Sequence, residues 1–179
     1  FTMTQFYPRL AVYSDFQGWQ NTQFSGGAEF ALTFGNFKVK MTVPGDFVVA
    51  ATGECQNYKQ LLTATQFQRW TTALSAKDVT EVVTLDEAVA NEKDKSTDKK
   101  TWIYEAENVR DFAWGASRKF VWDAMSTYVE GKKIIDPTVV SYDKDVEIAF
   151  FAECNYSSVF DDNIKYLTVD ISRQMLCEF

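Results

Sequence analysis

Residues 28–43 read AEFALTFGNFKVKMTV, and this stretch decides the fold class. Apolar and polar side chains alternate along it on both sides of Gly35 and Asn36. Alternation with a period of two is typical of a strand with one buried face, and a Gly-Asn pair between two such runs favours a tight turn. We therefore predict a β-hairpin that leaves Lys38 and Lys40 in solvent. On this interpretation truncating Phe34 to Ala would cost ~3–5 kcal/mol, whereas Lys38→Ala would cost about half a kcal/mol or less. The predicted core-facing side chains are Phe30, Leu32, Phe34, Phe37, Val39, Met41 and Val43.

The rest of the chain continues the strand pattern and interrupts it with helices. Residues 61–77 contain no Gly or Pro and space their apolar side chains as a helix does, and a second short helix is expected at 86–92. Both belong to a helical insert at about residues 56–98. Further strands are predicted at residues 7–13, 47–52, 101–107, 112–122 and 139–152. A C-terminal helix from about Asp162 would carry an apolar stripe of Ile164, Leu167, Ile171 and Met175. The predicted fold class is mainly β (α+β overall): an antiparallel β-sandwich or saddle domain with a helical insert and a C-terminal helix.

Composition excludes several classes of function. The chain has 179 residues, a net charge of −7 and no histidine. His-based catalytic triads and HExxH zinc sites are therefore excluded, and the negative charge disfavours nucleic acid as a partner. Charged residues, Gly, Gln and Asn break the apolar stretches, so no membrane span is predicted. Cys55, Cys154 and Cys177 are interpreted as buried small hydrophobes, with one disulfide and a leftover thiol as the alternative.

Two groups of acidic residues are candidates for chemistry. Asp143, Asp145 and Glu147 alternate along one predicted strand face, but calcium takes six or more oxygen ligands, so a solvated face is the favoured interpretation. A glycoside hydrolase needs two carboxylates at a defined spatial separation, which sequence does not give. The candidates for such a pair are Glu105, Glu107 and Asp111. We predict no catalytic residue, no metal ligand and no cofactor in this chain.

Aromatic side chains make up 16% of the chain, with 15 Phe, eight Tyr and five Trp. Most of them should fill the core of a strand-rich protein, and the remainder are available for a binding face, because exposed rings stack on sugars or grip peptides. One functional hypothesis is therefore a stand-alone aromatic-rich β-sandwich that binds carbohydrate or a protein partner.

A second hypothesis comes from short segments that occur in a fixed order and spacing. They are FYPRLAVY (6–13), GW (18–19), GAEF (27–30), FG (34–35), MTVP (41–44), VVAATG (48–53), ENVRDFAW (107–114) and FVWD (120–123). This series resembles the N-terminal β-domain of the aminopeptidase N family of gluzincin zinc metallopeptidases, in its bacterial secreted form. The resemblance covers about residues 5–55 and 100–123, and more loosely 146–179, which resemble the first strand and helix of the catalytic domain.

The resemblance implies a division into residues 1–122, the β-domain, and residues 123–179, the beginning of a truncated catalytic domain. In this family the catalytic domain holds zinc through HExxH and a further Glu, so zinc and the peptide substrate are expected in the missing part of that domain. The partner of this chain would be the remainder of its own catalytic domain, and its location would be periplasmic or secreted. Tyr7, Arg9, Tyr13 and Asp15 are candidates for an interdomain groove, with a purely structural role as the favoured alternative. The leading hypothesis is thus a non-catalytic fragment that caps one side of the peptide-binding cleft.

Overall fold

The computed structural model describes residues 1–3, 6–21, 23, 32–129, 132–141 and 150–151. Among these residues there are twelve β-strands and three α-helices, and all the strand pairings are antiparallel. The predicted mainly β, α+β fold class is therefore confirmed. The strands are β1 (Thr2–Met3), β2 (Val12–Ser14), β3 (Gly18–Gln20), β4 (Gly35–Pro44), β5 (Val48–Ala51), β6 (Glu54–Cys55), β7 (Thr80–Val83), β8 (Lys99–Val109), β9 (Trp114–Ser117), β10 (Phe120–Val129), β11 (Lys132–Ser141) and β12 (Phe150–Phe151). The helices are α1 (Tyr58–Leu61), α2 (Ala64–Ala73) and α3 (Leu85–Lys93).

The described strands form four sheets. Their strand orders are β12-β11-β10-β7, β4-β8-β6, β1-β9-β5 and the two-stranded β2-β3. The pairing of β4 with β8 runs from Gly35 opposite Val109 to Pro44 opposite Lys99. All three helices lie in the connection between these two neighbouring strands, which confirms the predicted helical insert.

The first core lies on the apolar face of the β4–β8 pair. Met41 is buried opposite Trp102, and Tyr104 on the same face is buried and donates a hydrogen bond from its hydroxyl to the carbonyl of Val49 (2.9 Å). Lys38 and Lys40 are exposed on the other face, as the alternation predicted.

The second core forms where α2 packs over β7 and β10. Its buried members are Val48, Ala50, Trp70, Ala73, Val82, Val83, Phe120, Trp122 and Ala124. Tyr58 of α1 packs against both cores, since its ring centroid lies 4.6 Å from that of Trp70 and 6.2 Å from that of Trp102. The two cores therefore meet at one aromatic side chain of the insert.

Local signals at two threonines fix where the longer helices begin. The hydroxyl of Thr63 accepts a hydrogen bond from the backbone N–H of Gln66, whose side chain accepts one from the N–H of Thr63. Thr84 and Glu87 form the same capping box at α3. Because this cap starts α2 at residue 64, the helix predicted at 61–77 corresponds to the shorter α2, and α1 is a separate short helix before it.

The predicted hairpin turn at Gly35 and Asn36 is wrong. Strand β4 begins at Gly35 and runs through both residues, and its described partner is β8. The side-chain oxygen of Asn36 accepts a hydrogen bond from the backbone N–H of Asn108 (2.8 Å), which has a φ of 55°. The Gly-Asn pair therefore lies where the register of the β4–β8 pair is irregular, and it does not form a hairpin turn.

Phe34 is also not the buried residue that the hairpin required. It is 51% exposed, and the guanidinium of Arg110 lies 5.0 Å from the centre of its ring. The predicted loss of ~3–5 kcal/mol in the free energy of unfolding on truncation of Phe34 applies to a buried ring, so that prediction is wrong for this exposed position. The inward face of β4 nevertheless holds from Phe37 onward, whereas Phe30 lies outside the described residues.

Other sequence boundaries shift as well. The strand predicted at 7–13 is reduced to β2, and the one predicted at 112–122 is divided into β9 and β10 by a turn at Arg118 and Lys119. The proposed domain boundary between residues 122 and 123 falls inside β10. Outside the described residues lie the predicted C-terminal helix with its stripe of Ile164, Leu167, Ile171 and Met175, the acidic group Asp143, Asp145 and Glu147, and Cys154 and Cys177.

Candidate functional site

An aromatic hairpin, formed by β2, β3 and the turn at residues 15–17, is the first part of the candidate site. Tyr13 pairs directly with Trp19 across the two strands. The hydroxyl of Ser14 accepts hydrogen bonds from the backbone N–H of Gln17 and the side-chain amide of Gln20, both at 3.2 Å. These bonds hold the turn closed, so the hairpin is locally stabilised although its sheet has only two described strands.

The hairpin presents its rings to solvent. Tyr13 is 63% exposed and Trp19 58% exposed, and their ring centroids lie 5.3 Å apart in an edge-to-face arrangement. Ten large hydrophobic side chains are exposed among the described residues, and eight of them belong to residues 1–34. The eight are Phe1, Met3, Phe6, Leu10, Tyr13, Phe16, Trp19 and Phe34. This concentration makes residues 1–34 the candidate interaction segment, since exposed apolar side chains scattered singly along a chain are normal.

A polar clasp, formed by Tyr7, Arg9 and Asp111, is the second part of the site. The hydroxyl of Tyr7 donates a hydrogen bond to the Oδ1 atom of Asp111. The Nη1 atom of Arg9 lies 3.3 Å from the same oxygen, and its Nη2 atom donates to the carbonyls of Arg110 (2.6 Å) and Thr33 (3.3 Å). Both charged side chains are mostly buried, at 21% and 17% exposure. The clasp therefore ties the chain at residues 7–9 to the connection between β8 and β9.

Burial raises the pKa of Tyr7 well above its ordinary value, and the hydrogen bond to Asp111 raises the pKa further. The phenol is therefore protonated at neutral pH and acts as a hydrogen-bond donor. The ring of Tyr7 packs against the first core, and its centroid lies 5.4 Å from that of Phe37. This geometry gives Tyr7 a tethering role and no role as a base.

The four residues predicted for an interdomain groove fall into two places. Tyr7 and Arg9 meet at Asp111 in the clasp, where both are partly buried. Tyr13 lies on the aromatic hairpin, and Asp15 is exposed in its turn. The structure thus brings the first two together and places the other two further along the same segment.

Sequence reasoning missed two features of the site. Asp111 is the common acceptor of the clasp, but 104 positions separate it from Tyr7, and no local pattern indicates that contact. The aromatic hairpin was not predicted either, because residues 10–13 are all apolar and show no alternation that would indicate a strand with one buried face. Gly18, a residue type typical of tight turns, was the available signal.

Of the carboxylates considered for a glycoside hydrolase pair, Glu107 is exposed and Asp111 lies in the clasp. Glu105 forms an ion pair with Lys38 at 2.5 Å across the β4–β8 pair. Burial raises the pKa of Cys55 to about 11, which keeps that thiol protonated near neutral pH. Over the described ranges, no group of three or more His, Cys, Asp or Glu side chains is arranged to hold a metal ion.

Comparison with known proteins gives no family assignment. No protein-family model, no curated protein and no solved structure matches the chain. None of the helices in the described part of the chain is long and apolar enough to cross a membrane.

Proposed function

We propose that this chain is a non-catalytic β-domain that docks, through its exposed aromatic segment, onto the catalytic domain of a zinc aminopeptidase of the aminopeptidase N type. The observation that carries this proposal is the concentration of exposed large hydrophobic side chains in residues 1–34. Trp and Tyr are the residues that most often dominate the energy of a protein interface. The ordered series of segments described above favours the catalytic domain as the partner.

The composition of the chain determines which role each domain would have in this proposal. The chain has no histidine, so it cannot supply an HExxH zinc site, and zinc would be held by the partner domain. The β-domain would cover one side of the cleft that binds the peptide substrate and so exclude long folded substrates. A net charge of −7 disfavours nucleic acid as a partner. Since the bacterial proteins that the chain resembles are exported, we place it in the periplasm or outside the cell.

The proposal is tested by mixing the purified chain with a separately expressed catalytic domain of that family. We expect a complex in analytical ultracentrifugation and a change in the hydrolysis of an amino-acid anilide. Trp19→Ala should weaken the complex by ~2 kcal/mol or more, because a buried interface Trp is a typical hot spot. Lys40→Ala on the exposed face of β4 is the control and should leave the affinity unchanged.

Two outcomes would contradict the proposal. One is peptidase activity or a tightly bound zinc ion in the homogeneous chain alone, measured after washing with a chelator. The other is a complex that survives Trp19→Ala and Tyr13→Ala together with unchanged affinity.

Carbohydrate binding is the second candidate function, and the composition of the hairpin favours it. The exposed rings of Tyr13 and Trp19 lie beside a turn that contains the exposed Gln17, and exposed aromatic rings stack on sugars. Titration calorimetry with soluble oligosaccharides separates the two candidates. Saturable heat that Trp19→Ala abolishes, without a complex with the catalytic domain, would favour the carbohydrate hypothesis.

A further inference from the structure

We infer that Asp111 is the latch of an N-terminal strap, residues 6–20, and that releasing this one carboxylate frees the aromatic hairpin from the body of the protein. The strap comprises the clasp residues Tyr7 and Arg9 followed by the hairpin. The inference that the latch also controls docking depends on the proposed function above, whereas the release itself does not.

The first step of the argument concerns the geometry of the carboxylate. The Oδ1 atom of Asp111 accepts hydrogen bonds from the hydroxyl of Tyr7 and from the backbone N–H of Phe112 (2.8 Å), and it lies 3.3 Å from Arg9. Phe112 is fully buried in the first core. Its backbone therefore fixes the orientation of the carboxylate, which in turn holds two side chains of the strap.

The second step concerns what else holds the strap. Among the described residues, every hydrogen bond that residues 10–21 make stays within the hairpin. Leu10 is 85% exposed and Phe16 77% exposed, so the strap beyond Arg9 offers little apolar anchorage. Before Arg9, the ring of Phe6 contacts that of Trp114 at 6.4 Å. The polar anchorage of the hairpin is thus concentrated at the clasp.

The third step concerns charge. The Nη1 atom of Arg9 is buried, and the carboxylate of Asp111 is its ion-pair partner. A mostly buried guanidinium that loses its countercharge pays a desolvation cost. It regains hydration by moving to solvent, and this movement also breaks the hydrogen bonds from its Nη2 atom to two backbone carbonyls. That movement carries Leu10 and the hairpin with it. Asn at position 111 keeps an acceptor for Tyr7 but removes the charge, so Asp111→Asn isolates this effect.

Amide hydrogen exchange measured on the whole chain tests the latch. Asp111→Asn should speed exchange of the residues 12–20 amides by about tenfold or more, while exchange in β5 and β8 stays within about twofold of the wild type. Trypsin should cleave after Arg9 correspondingly faster. Asp15→Asn removes the same charge from the exposed hairpin turn and is the matched control, with no expected change.

A double variant separates a latch from general damage to the fold. Combining Asp111→Asn with Arg9→Ala should speed hairpin exchange by less than the product of the two single effects, because both changes break the same ion pair. Tyr7→Phe keeps the ion pair and should give a smaller increase than Asp111→Asn. Unchanged hairpin exchange in Asp111→Asn would overturn the inference, as would equal acceleration in β5 and β8 or fully additive effects in the double variant.

The docking consequence has its own readout. Asp111→Asn should weaken the complex with the catalytic domain by about tenfold, because a freed hairpin must be ordered again on binding. If the wild-type chain does not bind that domain, the proposed function fails while the exchange result still decides the latch. If binding occurs and Asp111→Asn does not weaken it, the latch does not control docking.

Discussion

Gly53 is the residue at which the backbone leaves least freedom. It has a φ of 85°, and a Cβ atom there would lie 2.3 Å from the carbonyl oxygen of Glu105. Gly18, in the aromatic hairpin, also has a positive φ, 72°, but a Cβ atom there would meet nothing within 4 Å. An alanine at Gly18 would therefore suffer backbone strain alone, whereas an alanine at Gly53 would suffer the same strain and a steric overlap.

We predict that Gly53→Ala lowers the free energy of unfolding by at least about 3 kcal/mol, because β6 would have to move away from β8. Gly18→Ala should cost only about 1 kcal/mol, the strain of a left-handed non-glycine residue. Urea denaturation of both variants measures the difference. Equal losses would mean that the approach of Gly53 to β8 is not tight.

Asp123 on β10 gives a prediction about pH. It lies opposite Glu81 of β7, and burial, followed by repulsion from Glu81, raises its pKa. The folded state therefore holds this proton more tightly than the unfolded state does. Its contribution to stability is present below the unfolded pKa and is lost as pH rises through the raised folded pKa.

Asp123→Asn should consequently stabilise the protein at neutral pH and flatten the dependence of stability on pH just above the ordinary Asp range. Glu105→Gln, which removes a carboxylate paired with Lys38, is a control that should not stabilise. Melting temperatures collected from pH 4 to pH 8 provide the test. A lower melting temperature for Asp123→Asn than for the wild type at pH 7 would contradict the sign of the effect.

At the scale of elements, α2 depends on its N-terminal capping box. Thr63→Ala should cost about 1 kcal/mol, since it removes an acceptor for an otherwise unsatisfied N–H. Thr72→Ala is the matched control inside the same helix. The Thr72 hydroxyl donates to the carbonyl of Gln68 (3.0 Å) and has no role in capping the helix. Chemical denaturation should rank Thr63→Ala as the more damaging, and the reverse ranking would argue against the cap.

The elements also separate what local sequence can predict from what it cannot. The inward face of β4 and the helical insert follow from periodicity, which is a property of neighbouring residues. The partner of β4 does not, because Val109, which pairs with Gly35, lies 74 positions away along the chain. The clasp is hidden for the same reason, since Arg9 meets residues 110 and 111 through the tertiary fold. The exposure of the rings of Tyr13 and Trp19 likewise depends on the position that the strap takes in the tertiary fold.

At the scale of the whole molecule, Tyr58 and Leu62 join the two cores, because both side chains pack against each of them. The ring of Tyr58 contacts Trp70 and Trp122 of the second core and Trp102 of the first. We predict a single unfolding transition in which tryptophan fluorescence and far-ultraviolet circular dichroism coincide. Tyr58→Ala should cost ~3–5 kcal/mol and separate the two signals, because the cores lose one of the two side chains, Tyr58 and Leu62, that pack against both. Coincident signals in that variant would indicate that Leu62 is a sufficient connection.

The long connection between β4 and β8 has a consequence for synthesis. At ribosomal rates of ~5–20 residues per second, β8 is synthesised several seconds after β4. During that time the apolar face of β4, which includes Met41 and Val43, has no β8 to pair with. An uncovered strand is a template for pairing with other nascent chains. Lys38 and Lys40 place positive charges on the opposite face of that strand, and like charges on two such chains repel. The alternation that identifies the strand therefore also protects the chain from aggregation until its partner strand has been made.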